Sequence, residues 1–170
     1  MTRAGTTSAG TTGAGTTGAG TTGAGTTGAG EGEVDLLSTL LRAVHAVVYG
    51  YGVLGARLDT DSRRAALAAN DSHRARRDQL VARLRQRGAP VPVSEPAYDV
   101  SVSGPLEALS LAVRLEEGMA VRWRDLVGGT DDPGLRGLAA AGLTETAVRA
   151  AQWRQRAGLR PATVALPGTG

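Results

Sequence analysis

The sequence predicts an all-α fold: a four-helix bundle with one long crossover between the second and third helices, preceded by a disordered tail. Three observations carry that expectation. Four stretches place apolar residues three and four apart, the spacing of one helix face. The connections between those stretches run short, long, short. The large apolar residues are Leu and Val, supplemented by Ala, with no Phe and only 3 % aromatics, a mixture that suits helices better than sheets.

Three segments follow from composition and period. Residues 5 to 30 contain only Gly, Ala, Thr and one Ser, and from Thr6 they read TTSAG and then TTGAG four times. No position of that pentad carries a large side chain to bury, and its glycines lose much entropy on ordering. Residues 1–33 are therefore expected to be a disordered low-complexity tail, an expanded short repeat rather than a tether or a modification substrate. The bundle is expected over 34–158, and 159–170 as a flexible C-terminal tail.

Each helix has its own signals. Leu37, Leu41, Val44, Val48, Tyr51, Gly55 and Leu58 form the seam of the first, with Asp35 in the turn where the helix dipole favours an acid. Asp59 and Thr60 break that pattern. The second runs from Asp61 to Arg87, with Ala66, Ala69, His73, Leu80 and Leu84 inward, and is stopped by Gly88 and Pro90. Residues 89–103 hold three prolines and show no helical period. "GPLE" then starts the third helix, with Pro105 at its first position and Glu107 at its third. Its stripe is Leu106, Leu109, Val113, Glu116, Ala120, Trp123 and Val127. Asp132 and Pro133 open the fourth, with Leu135, Leu138, Gly142, Thr146, Ala150 and Trp153 inward.

The crossover decides the topology. A helix of 27 residues is about 40 Å long, and fifteen extended residues reach at most about 50 Å. The chain can therefore run the length of the bundle and start the third helix parallel to the second, the connectivity of ferritin-like bundles. The stretches HAVVYGYGVLGARL, HRARRDQLVARLRQRGAPVP with AYDV, LAVRLEEGMAVRWRDLV and AVRAAQWRQRAG together resemble a bacterial ferritin-like domain family of unknown function. The resemblance covers about residues 36 to 158 and implies the fold, with no activity to carry over.

That resemblance raises the question of a di-metal centre. Such proteins use a carboxylate from each of two helices and a Glu-x-x-His pair from each of the other two. The pattern would put a Glu near position 44, where this chain has Val44. The second helix offers Asn70 three residues before His73, the third offers Glu116 with Glu117 beside it, and the fourth offers Glu145 with Val148 in the place of a His. Only His73, Glu116 and Glu145 remain, with His45 at the edge of the first seam as a further weak candidate. Glu145 can pair with Arg149 one turn on. An inward His and an inward Glu on facing helices satisfy each other more readily than they bind an ion. The expectation is a buried polar pair of His73 with Glu116 and no cofactor; the alternative is iron or another divalent metal on His73, Glu116 and Glu145.

Other chemistries find little support. There is no Cys, which excludes disulfides and thiolate sites, and no glycine loop of the phosphate-binding kind. All 19 basic residues are Arg, as in a GC-rich genome, and the formal net charge is only +3. Arg74, Arg76, Arg77 and Arg83 are candidate contacts for an anion or nucleic acid. At 100° per residue they spread round the second helix, so a solvated face is the preferred reading and a nucleic-acid partner is not expected. Trp123 and Trp153 read as core. Gly52 and Gly55 read as room for a neighbouring helix or a Trp. No apolar run of about 18 residues and no secretory leader stand out, so a membrane is not expected and the cytoplasm is. The resulting expectation is a non-catalytic helical interaction or oligomerisation module, with a homodimer as its partner.

Overall fold

The computed structural model describes residues 24–169, and its elements are α1 (Ala24–Gly55), α2 (Thr60–Gln86), α3 (Pro105–Gly129) and α4 (Pro133–Arg156). Local chemistry accounts for their ends. The Asp59 carboxylate accepts from the amides of Asp61 and Ser62 to start α2, and Asp132 does the same for α4 with Gly134 and Leu135. Glu107 reaches back to the Ser103 amide at 2.8 Å to start α3. Gly88, at φ 64°, ends α2 in the left-handed region, where the Ala89 amide bonds the Leu84 carbonyl.

Contacts at the bundle's ends fix the directions. Arg87 at the end of α2 meets Glu33 in the first half of α1 and Asp132 at the start of α4. Thr130, just past α3, donates to Glu33. So α1 is antiparallel to both α2 and α3, and α4 is antiparallel to α2. It follows that α2 and α3 are parallel. They sit diagonally, because α1 packs on α2 and α3 while α4 packs mainly on α3. The four-helix bundle with one long crossover is therefore the fold of this chain.

The crossover is pinned to the outer side of α1. His45 Nε2 lies 3.3 Å from the Pro92 carbonyl, and Tyr49 stacks on Tyr98 with ring centres 5.3 Å apart. Val102, near its end, is buried against the core. The core is Leu37, Leu40, Leu41, Val44, Val47 and Leu54 of α1 against Leu80, Leu84, Met119, Leu126 and Leu135, with Trp123 and Trp153 fully enclosed. Gly142 admits Trp123: a Cβ there would lie 2.6 Å from the indole.

Four details differ from the sequence reading. Helix α1 begins at Ala24, so residues 24–33 are helical instead of tail, and Glu33 is held by Arg87 and Thr130; the rest of the expected tail lies outside the described residues. The expected C-terminal tail folds back, with Gly168 against the Ala120 carbonyl and the Pro161 carbonyl accepting from Arg154 Nε at 3.0 Å. Leu106 is 76 % exposed, because Ala108 and Leu109 take the inward positions of that turn. Finally, Gly30–Gly55 is long and apolar enough to cross a membrane, since scattered charges do not cancel its mean hydropathy. Its apolar side chains instead form the core.

Candidate functional site

The polar residues of the interior converge midway along the bundle. Glu116 of α3 and His73 of α2 are fully buried, with His73 Nε2 2.9 Å from Glu116 Oε1. The same oxygen accepts from the Tyr51 hydroxyl of α1 at 2.5 Å and from Arg149 Nε of α4 at 3.1 Å. Tyr51 in turn accepts from the Trp153 indole at 2.8 Å. Arg149 also reaches Ser72 Oγ at 3.2 Å. The other three helices thus each bring one group to a single carboxylate oxygen of α3.

The helical period places them. Tyr51 lies seven residues beyond Val44 on the inward seam, and Glu116 lies three beyond Val113. Arg149 stands three after Thr146 and four before Trp153, both buried, so its stem starts at the edge of the inward stripe. From there a guanidinium reaches the interior while the residue stays partly exposed.

Electrostatics make the cluster self-contained. Burial alone would push the Glu116 carboxyl up. The hydrogen bond and charge of His73, the Arg149 guanidinium and the Tyr51 hydroxyl outweigh it and hold the group below its usual range. Burial, and then the neighbouring Glu116, push the Tyr51 phenol well above 10.0. An ionised carboxylate only accepts, so His73 Nε2 carries the proton. His73 Nδ1, Glu116 Oε2 and Asn70 Oδ1 are sealed from solvent without a hydrogen-bond partner among the described residues.

The residues do not fit a metal centre. Glu145 points away from the centre and pairs with Arg76, not with Arg149 as its spacing suggested. Val44 is buried and apolar, and Val148 is exposed. His45 serves the crossover. What remains beside Glu116 and His73 is the fixed cation of Arg149, which would repel a metal ion. No group of three or more His, Cys, Asp or Glu among the described residues is arranged to hold one.

The anion candidates are likewise dispersed. Arg76 pairs with Glu145 and lies 5.9 Å over the Trp123 ring, and Arg77 pairs with Asp78. Arg74 and Arg83 flank other faces. Tyr51, Arg149 and Trp153 are the members of the central cluster that were not read as polar partners from the sequence. The two-sided spacing of Arg149 from Thr146 and Trp153 was the available signal.

Comparison with known proteins agrees with the fold and is silent on activity. No curated protein matches the chain. A crystal structure of a conserved hypothetical protein from Mycobacterium tuberculosis is similar, with a TM-score of 0.74 and 33 % identity, covering 82 % of this chain and 99 % of that one. Residues 37–170 match the family described as a domain of unknown function, DUF4439, and the chain belongs to that family.

Proposed function

We propose that the chain is a non-catalytic helical interaction or oligomerisation module of the cytoplasm, a ferritin-like bundle without a di-metal centre. The observation that carries this reading is the Arg149 guanidinium on Glu116. It supplies the positive charge that a metal ion would supply in a bundle of this connectivity, and it comes from the chain itself. The parallel, diagonal arrangement of α2 and α3 supports the ferritin-like assignment. The packing of the apolar side of α1 into the core supports a chain that works off the membrane.

Catalysis finds no foothold in the centre. Its one carboxylate oxygen with partners already accepts three hydrogen bonds, and both Glu116 and His73 are at 0 % exposure, out of reach of a substrate. Metal analysis of the purified protein, before and after anaerobic loading with ferrous iron, tests the reading. No stoichiometric metal is expected in either state. A stoichiometric metal lost on His73→Ala would overturn it.

A further inference from the structure

The outer face of α2 carries a charge pattern of which its own fold uses only one exposed pair, Arg64 with Asp61 at 3.1 Å. Leu67 is 61 % exposed in the first third of the helix, next to exposed Ala68. Arg64 lies three residues before it and Asp71 four after; Asp61 and Arg74 come one turn further out on either side. All four are exposed, with the Arg64 and Asp61 side chains 75 % and 86 % accessible. Opposite signs thus stand at matching distances on either side of the point between Leu67 and Ala68.

Beside that stripe lies an open groove between α1 and α2 of about 410 Å³, bordered by Gly52, Gly55, Ala56, Ala66 and Leu67. A Cβ at Gly52 or Gly55 would meet nothing within 4 Å. Among the described residues neither a neighbouring helix nor a Trp fills that space, contrary to the sequence expectation. Each glycine costs roughly 1 kcal/mol of helix propensity relative to Ala, with no internal packing to offset it. At the groove's inner end Asn70 is 8 % exposed and its Oδ1 has no hydrogen-bond partner among the described residues.

We propose that this face binds a second copy of the chain, with the two α2 helices antiparallel and crossing on a two-fold axis between Leu67 and Ala68. The proposal rests on reading the chain as an oligomerisation module and names the surface. In that register Leu67 packs on the partner's Ala68 and beside the partner's Leu67, Arg64 meets the partner's Asp71, and Asp61 meets the partner's Arg74. The two-fold repeats each ion pair on the other side of the axis, as an isologous contact requires. Sliding one helix by about a turn would bring Arg64 against the partner's Arg74, so the charges select one register. The glycines keep the groove beside Leu67 free for the partner's leucine side chain.

The chain has no cysteine, which gives a direct test. In sedimentation velocity the unaltered protein should run with the mass of two chains. Leu67→Glu and Asp71→Arg should each run as one chain, with unchanged helical circular dichroism. The double variant Arg64→Asp with Asp71→Arg should regain the dimer, because the pair is reversed within every copy. Leu67→Cys should cross-link to its partner on mild oxidation, and Gln79→Cys should not. A monomeric unaltered protein, or a dimer indifferent to Leu67→Glu and Asp71→Arg, would overturn the proposal. A metal-free monomer defeats the dimer and leaves the metal-free reading standing; a dimer with stoichiometric metal does the reverse.

Discussion

Two polar clusters tie the four helices together, one at the middle of the bundle and one at its end, and they are built on opposite plans. The middle cluster gathers Tyr51, His73, Arg149 and Trp153 around Glu116, away from water. The end cluster joins Glu33, Arg87, Thr130 and Asp132, with side chains 13 %, 21 % and 39 % exposed at Glu33, Arg87 and Asp132. Both place an Arg between acids or beside one. Only in the middle is the acid unable to recover water when its partner is lost. Burial, not the number of contacts, sets what each cluster is worth.

The largest expected effect follows from removing the Arg149 cation alone. Arg149→Met strips the buried Glu116 of its permanent positive charge, leaving His73 and Tyr51 on it, and should cost about 3 kcal/mol in urea unfolding. Replacing both at once, Glu116→Leu with Arg149→Met, should recover most of that loss, because no uncompensated charge remains; a simple sum of two large losses would show that the pair is not coupled. Acid should open the same cluster in the unaltered protein. The Glu116 carboxyl is held below its usual value of 4.5 in the fold, so its contribution is full above that value and is lost as pH falls through the lower folded value. In Glu116→Gln the acid limb of a stability–pH curve should be flatter.

Tyr51→Phe comes next. It removes the hydroxyl that donates to Glu116 and accepts from Trp153, and a loss of about 1–3 kcal/mol is expected. The smallest effect belongs to the end of the bundle. Arg87→Ala should cost at most about 1 kcal/mol, and added salt should shrink that difference while leaving the Tyr51 effect in place. A salt-insensitive loss as large as that of Arg149→Met would erase the distinction between the two clusters.

Loop lengths carried the topology: a crossover long enough to run the bundle implied parallel α2 and α3, and the end contacts show that arrangement. Periodicity placed His73 and Glu116 on inward stripes, and the two atoms lie 2.9 Å apart. The same periodicity was read too narrowly for Arg149. A guanidinium has a long apolar stem, so a residue at the edge of a stripe can still put its charge inside. Glu145 shows the converse, since its exposed position let Arg76 of another helix claim it in place of the residue one turn along its own. The start of α1 was obscured because Gly-rich composition argues against helix, and contacts distant in sequence, Arg87 and Thr130 on Glu33, hold that end. His45 looked like a ligand because imidazole serves many ends; its partner, the Pro92 carbonyl, lies 47 residues away.

The crossover has a consequence for how the molecule assembles. It divides the chain into two hairpins, α1–α2 and α3–α4, each closed by a short turn and joined only by residues 87–104. Bringing α3 to its starting end requires spanning about 38 Å, the length of a 25-residue helix, with a segment whose full extension is about 60 Å. The slack amounts to roughly six residues at that extension per residue. A chain shortened by more than this could no longer close on itself. Its hairpins would have to find their complements in a neighbouring molecule, converting a self-contained bundle into an exchanged one through linker length alone.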